Sequence, residues 1–314
     1  MSVPCGIGHD PGMPSSFPVI DRDSQALIKA PAKVNIRLKV TGRRPDGYHE
    51  LVSLMVPVGL FDEMELARTK EKGITLTCRG DAVPRDETNL SYKAAQVFFE
   101  RTGLPPGISI NLKKHIPVAA GLGGGSSDAA GTLEALNALW DEPLTREELR
   151  RLARGLGADV PFFLQPGPCI ARGIGEILEP VHRWPCLYYV IVTPDLHVST
   201  SWVYGRLKLK LTRNEYDFIV KSLRKEPLEI TPLLENDLET VTASRFPIVG
   251  RIKKSLMDTG AEGSLMSGSG PSVFGVFRSE ARARRAEDFL ASRHLGRTFV
   301  AAGLGPKDWG VVKW

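Results

Sequence analysis

The stretch Pro117-Val118-Ala119-Ala120-Gly121-Leu122-Gly123-Gly124-Gly125-Ser126-Ser127-Asp128 decides how this chain is read. Four glycines within five residues permit backbone torsions and close approaches that a Cβ would block. Downstream, Ala129, Leu133, Leu136 and Trp140 are spaced 4, 3 and 4 apart, one apolar stripe at the helical period. Upstream, Ile108, Ile110 and Leu112 alternate with Ser109, Asn111 and Lys113, the pattern of a half-buried strand. A strand, a glycine loop and a helix N-terminus in that order form an anion cradle. The free N–H groups of the first turn point at the anion, and the helix dipole favours negative charge there. The expectation is a nucleotide phosphate site.

Two familiar cradles are excluded. No Gly-x-x-x-x-Gly-Lys-Ser/Thr run exists, and Gly121-Leu122-Gly123-Gly124-Gly125-Ser126 fails the dinucleotide pattern at its last position. A ligand-free glycine loop is disfavoured because Ser126-Ser127-Asp128 and the apolar stripe follow directly. Asp128 is expected to cap the helix rather than touch the ligand.

Composition narrows the class. The 314 residues suit two domains. Hydrophobic content of 42% and charged content of 25% are ordinary for a soluble globular protein. No run of 18 apolar residues exists, so no membrane partner is expected. The first 25 residues lack a basic start followed by an apolar core; they read as a mobile extension of a cytoplasmic protein rather than a secretory signal. Cys5, Cys78, Cys169 and Cys186 are scattered without a Cys-x-x-Cys pair, so buried or incidental thiols are expected, with no zinc site or disulfide framework. The six histidines form no metal-ligand pattern. The net charge of +5 is small for this length, and Arg150-Arg151 and Arg282-Ala283-Arg284-Arg285 fit solvated helix faces. No nucleic-acid partner is expected, whereas a mild positive field suits anionic substrates.

Val34, Ile36, Leu38 and Val40 alternate with Asn35, Arg37 and Lys39, so 33–41 reads as a strand with Lys33 and Asn35 on one face. Leu51–Val58 reads as a second strand, with Met64–Leu66 and Ile74–Cys78 as short ones. A helix follows Asn89. Thr145-Arg146-Glu147-Glu148 is a capping box opening a helix striped by Leu149, Leu152, Ala153 and Leu156. The second half restarts with a strand over 187–192. Helices follow around 215–224, 234–244 and 248–258, then a strand over 273–277 and a helix over 279–292. This mixed order indicates an α+β fold rather than a doubly wound parallel sheet. The domain boundary is expected between Pro166 and Pro185, giving 1–25, 26–182 and 183–314.

The glycine stretch, Ala30-Pro31-Ala32-Lys33-Val34-Asn35-Ile36 and Leu265-Met266-Ser267-Gly268-Ser269-Gly270-Pro271-Ser272-Val273-Phe274 together resemble the three motifs of the GHMP kinases. Arg44-Pro45-Asp46-Gly47-Tyr48-His49-Glu50-Leu51 and Leu156-Gly157-Ala158-Asp159-Val160-Pro161-Phe162-Phe163 resemble the branch acting on a cytidine-diphosphate-linked methylerythritol. The resemblance runs from about Ile28 to about Phe277. It implies a ribosomal-protein-S5-like N-terminal domain, a ferredoxin-like C-terminal domain and a site in the cleft between them. The implied activity is ATP-dependent phosphorylation of that small molecule, with Mg²⁺ inferred from the chemistry of ATP rather than from any ligand motif.

The resemblance also implies roles. Lys33 and Asp159 become the catalytic pair, the lysine beside the reacting hydroxyl and the aspartate its general base or orienter. Without the resemblance, Lys33 and Asn35 read as a solvent-exposed face and Asp159 as a partly buried turn residue. The ATP site becomes 117–127 with Asn89 lining the adenine pocket, and Ser126 and Ser127 supply hydroxyls. Asn35, Tyr48, His49, Tyr204, Gly268 and Gly270 become the acceptor site, with Tyr204 stacking on the base. Core packing is the alternative for Tyr204, and a plain turn for Gly268-Ser269-Gly270. The rivals are another GHMP small-molecule kinase, a catalytically silent nucleotide-binding protein and, last, a nucleic-acid binder. A monomer or weak homodimer is expected.

Overall fold

The computed structural model describes residues 19–21, 25–208 and 214–306. Its elements in chain order are β1 (Val19–Asp21), β2 (Gln25–Arg43), β3 (His49–Arg68), β4 (Gly73–Gly80), α1 (Leu90–Thr102), β5 (Gly107–Lys114), α2 (Gly124–Leu139), α3 (Arg146–Leu156), β6 (Cys169–Gly173), β7 (Ile177–Pro180) and β8 (Tyr188–Thr193). Then come α4 (Thr200–Arg206), α5 (Glu215–Leu223), β9 (Glu235–Asn236), α6 (Asp237–Arg245), α7 (Ile248–Asp258), β10 (Gly263–Met266), β11 (Val273–Phe277), α8 (Glu280–Ala291) and β12 (Arg297–Ala302). The architecture is α+β, as the element order indicates.

The larger sheet runs β1-β2-β3-β5-β4, with β6 on β3, β7 on β6 and β9 parallel to β2. The smaller sheet runs β10-β11-β8-β12. Three apolar layers follow from the patterning. Ala129, Leu133 and Leu136 of α2 pack with Phe98 of α1 and Ile108, Ile110 and Leu112 of β5. Each such large side chain contributes about 1.5–3 kcal/mol on burial. Leu256 of α7 and Leu290 of α8 cover the smaller sheet. Between the sheets, Val34 and Ile36 of β2 meet Ile191 of β8 and Phe274 of β11, together with Ile116 and Leu122 from the glycine stretch.

Several expectations shift. Leu51–Val58 and Met64–Leu66 are one strand, β3, paired with β2 through three register shifts. The helix expected from 234 starts at Asp237, because Glu235–Asn236 pairs with β2 and Asn236 caps α6. Residues 19–21 pair with β2, and the rest of the expected N-terminal extension, except Gln25, lies outside the described residues, as do 307–314. Cys78 and Cys169 are buried thiols, whereas Cys186 carries a disulfide that the expectation of four thiols did not include. Among the described residues no helix is long and apolar enough to cross a membrane.

Candidate active site

The glycine stretch joins β5 to α2, and two of its glycines are required by contacts. Gly123 caps α2 at φ +74°, and a Cβ there would stand 2.9 Å from Phe163 Cζ and 3.1 Å from Lys33 Cγ. Gly121 has φ +76°, and its Cβ would stand 2.1 Å from the Ser267 carbonyl oxygen. The second glycine turn is thus laid directly on the first. Ser267 Oγ donates to the Gly121 carbonyl at 2.8 Å and accepts from the Asn35 N–H at 3.3 Å. The Ser272 N–H donates to the Ala120 carbonyl at 3.2 Å. Ala119 adopts φ +52°, a left-handed conformation that strains any residue with a Cβ.

Asp128 does not cap α2. It is buried one turn into the helix, where its Oδ2 accepts from Lys114 Nζ at 2.7 Å. Lys114 also pairs with the buried Asp62, whose Oδ1 accepts the backbone N–H groups of His115 at 2.6 Å and Ile116 at 2.9 Å. One lysine between two carboxylates leaves a buried negative excess. Burial pushes the Asp128 carboxyl up to about 8, despite the opposing pull of Lys114. This cluster fixes the strand end and helix start on which the loop is hung.

Lys33 and Asn35 are buried, not on a solvent face. Lys33 Nζ donates to Asn35 Oδ1 at 2.5 Å and stands 3.5 Å from Asp159 Oδ2. The Asp159 side chain remains 37% exposed, so a carboxylate open to the cleft faces a sequestered cation. Asp159 sits in the turn after α3, just before the buried run Pro161–Leu164. Asn35 Nδ2 donates to Ser53 Oγ at 2.9 Å, and Ser53 Oγ donates to the Arg37 carbonyl at 2.7 Å. That relay aims the amide oxygen of Asn35 at the lysine.

The simple alternation over 33–41 is broken. The β2–β3 register shifts between Asn35 and Arg37. Leu38 therefore joins Lys33, Asn35 and Ser53 in the cleft wall. Arg37 instead meets Glu215 at 2.8 Å and Glu235 at 2.7 Å, and Lys39 meets Glu235 and Asp237, each at 2.6 Å.

A cleft of about 1010 Å³ unites the expected site residues. Lys33, Asn35, Tyr48, His49, Asn89, Asp159, Tyr204 and Gly268 line it, with Pro117–Gly121 and Gly123–Ser126. Leu122, Ser127 and Gly270 do not. Leu122 lies in the core between the sheets, Ser127 is buried, and a Cβ on Gly270 would meet Met266 Sδ at 2.5 Å. Tyr48 and His49 lie at the tip of the β2–β3 hairpin, where the Tyr48 N–H donates to Asp46 Oδ1 at 3.1 Å. Tyr204, on α4, packs its ring 5.0 Å from the His49 ring. Burial, then the charge of Asp159, pushes the Tyr204 hydroxyl pKa up. Burial, then the Arg43 charge, holds the His49 imidazole below its usual range, so it is neutral at pH 7. Asn89 caps α1, accepting from the Ser91 N–H at 2.9 Å and donating to the Pro84 carbonyl at 2.8 Å. Its amide is thereby committed to the fold of the cleft wall. Among the described residues no group of three or more His, Cys, Asp or Glu side chains is placed to hold a metal ion.

Comparison with known proteins identifies the family. The model of the GHMP kinases N terminal domain matches 89–167, and that of the GHMP kinases C terminal region matches 219–295. The 4-diphosphocytidyl-2-C-methyl-D-erythritol kinase of Syntrophotalea carbinolica is 47% identical over 271 residues, covering 86% of this chain and 96% of its own. The enzyme of the same name from Geobacter sp. strain M21 is 49% identical over 259 residues, covering 82% and 92%. A crystal structure of 4-(cytidine 5'-diphospho)-2C-methyl-D-erythritol kinase superposes with a TM-score of 0.76 at 38% identity, covering 89% of this chain and 99% of that one. A homoserine kinase from Cytophaga hutchinsonii, at 22% identity and a TM-score of 0.70, shares the fold. The chain belongs to the GHMP kinases. Within them it is a member of the 4-diphosphocytidyl-2-C-methyl-D-erythritol kinase family.

Proposed function

We propose that this protein transfers the γ-phosphoryl group of ATP to the 2-hydroxyl of 4-diphosphocytidyl-2-C-methyl-D-erythritol, giving the 2-phosphate and ADP. The observation that carries this reading is the 3.5 Å Lys33–Asp159 pair in one cleft with the glycine loop and with Tyr48, His49 and Tyr204. The loop N–H groups and the N-terminus of α2 take the triphosphate. Phosphoryl transfer depends mainly on positioning and charge stabilisation. Lys33, held by Asn35, supplies a fixed positive charge beside the acceptor oxygen. Asp159 orients the hydroxyl and accepts its proton as the new P–O bond forms and the bond to ADP breaks.

Cytosine stacks on Tyr204, and the neutral His49 meets its polar edge. Gly268, which lines the cleft, bounds the phosphate side of the acceptor, and Gly270 shapes the turn behind it. Bound with ATP, Mg²⁺ would supply charge neutralisation at the phosphates. Ser126, the loop hydroxyl that lines the cleft, is the side chain suited to that complex, because Ser127 is buried and Asp128 is engaged with Lys114. One chain supplies every group named here, so a monomer or weak homodimer suffices for the reaction.

Phosphorus NMR of the product after incubation with ATP and the cytidyl acceptor tests the reading. A new monophosphate resonance coupled to the 2-position, with the diphosphate bridge intact, is expected. Phosphate on another position, or cleavage of the diphosphate, contradicts it.

A further inference from the structure

A second cavity, of about 760 Å³, lies on the other side of α4 and α6 from the cleft. Three elements are common to both. From α4, Tyr204 lines the cleft while Trp202 and Arg206 line the second cavity. From α6, Leu238 faces the cleft while Thr240, Val241 and Arg245 face the cavity. From β2, Lys33 and Asn35 serve the cleft while Lys39 and Val40 serve the cavity.

The charge in the cavity is unbalanced. Lys39, Arg206, Lys208 and Arg245 face it against two carboxylates, Glu235 and Asp237. Both carboxylates are already held by Lys39, and Glu235 by Arg37 as well. Arg206, Lys208 and Arg245 have no carboxylate partner among the described residues. Two of them rest on aromatic rings instead. The Arg206 guanidinium lies 4.7 Å from the Trp202 ring centroid and that of Arg245 lies 5.7 Å from the Phe246 centroid, the two rings being 6.3 Å apart. Among the described residues the lining carries an excess of two positive charges, and the two guanidinium forks among its three unpaired cations match a phosphate monoester dianion in charge and geometry. Val40, Trp202, Leu207 and Val241 supply an apolar wall beside it. The volume suits a small molecule.

We propose that this cavity binds a small organic phosphate, its dianionic head on Arg206 and Arg245 and its apolar part on that wall. Binding there acts on the cleft through α4. The short helix carries Trp202 and Arg206 on one side and Tyr204 on the other, so occupancy changes the affinity for the cytidyl acceptor. This second half rests on the assignment of Tyr204 to the acceptor.

Phenyl phosphate is the probe, with inorganic phosphate and phenol as its separate halves, titrated calorimetrically into the full-length protein saturated with a non-hydrolysable ATP analogue. Phenyl phosphate is expected to bind more tightly than either half. The Arg206→Gln/Arg245→Gln variant, whose altered residues do not line the cleft, is expected to bind it at least about tenfold more weakly while keeping its basal turnover. In wild type the probe is expected to change the acceptor KM at least about twofold with kcat unchanged, an effect absent from the variant. Equal binding by the variant, or no binding to wild type, overturns the site. Binding that the variant loses, with the wild-type KM unmoved, overturns the coupling. Tyr204→Ala assayed alone then shows whether the assignment of Tyr204 is at fault.

Discussion

Ser267 Oγ donates to the carbonyl of Gly121 at 2.8 Å, joining two glycine turns 146 residues apart. The contact is close enough that Gly121 admits no side chain, since a Cβ would meet the Ser267 carbonyl oxygen at 2.1 Å. Gly121→Ala is expected to destabilise the protein by at least about 2 kcal/mol, through steric clash and strain at positive φ. ATP affinity is expected to fall in parallel. Chemical denaturation and ATP titration measure both, and a variant with wild-type stability would show that the turns are not in contact.

Ala119 supplies the opposite substitution. It is exposed at φ +52° in the same loop. Ala119→Gly is expected to relieve about 1 kcal/mol of native strain, partly offset by the greater unfolded-state entropy of glycine. The net result is a melting temperature equal to or above that of wild type, with turnover retained. A clear loss of stability would mean that Ala119 is not strained.

The buried cluster beneath the loop makes a pH prediction. Burial holds the Asp128 carboxyl at about 8, above its ordinary 3.8. Between those values the folded protein keeps a proton that the unfolded chain releases, so stability falls as pH rises from about 4 to about 8. Asp128→Asn is expected to flatten this slope. Lys114→Met, which leaves the buried Asp62 without its counter-charge, is expected to cost about 3–5 kcal/mol. Urea unfolding at pH 5, 6.5 and 8 checks both variants.

His49 titrates below its ordinary 6.5, held there by burial and by Arg43. The acceptor KM is expected to stay level from pH 8 down to about 6.5 and to rise only below it. Tyr204→Ala is expected to raise that KM about tenfold or more by loss of stacking, with kcat little changed. A KM that climbs already between pH 8 and 7 would mean that another group controls acceptor binding.

How much of this was legible in the sequence differs from residue to residue. The strand–glycine loop–helix unit was readable because its determinants are contiguous and periodic. The capping box was readable for the same reason, and Thr145 and Glu148 form it. The burial of Lys33 and Asn35 was not. Alternation reads as one wet face, but Gly123 of the glycine loop lies against Lys33, and Ser267 and Gly268 lie against Asn35. The register shift after Asn35, which sends Arg37 and Lys39 away from the cleft, has no local signal in a run that alternates throughout. Ser53, Ser267 and the Lys114 cluster act through contacts 14 to 232 residues apart, so no spacing rule finds them. Asp128 was misread for that reason, since its position at a helix start suggested a cap while its partner lies at the end of β5. The short strands β6, β7, β10 and β12 and the helix α4 went unread, lacking the apolar runs that marked the equally short β8 and β11.

The central claim is that one cleft joins phosphoryl transfer at Lys33 and Asp159 to recognition of a cytidyl acceptor. The most direct test is ADP release from Mg-ATP with 4-diphosphocytidyl-2-C-methyl-D-erythritol, beside homoserine, mevalonate and no acceptor, for wild type and Asp159→Asn. The account predicts release only with the cytidyl acceptor. It also predicts a loss of at least about a hundredfold in kcat for the variant, with ATP affinity within about twofold. Release with another alcohol, or near-normal turnover by Asp159→Asn, would contradict it.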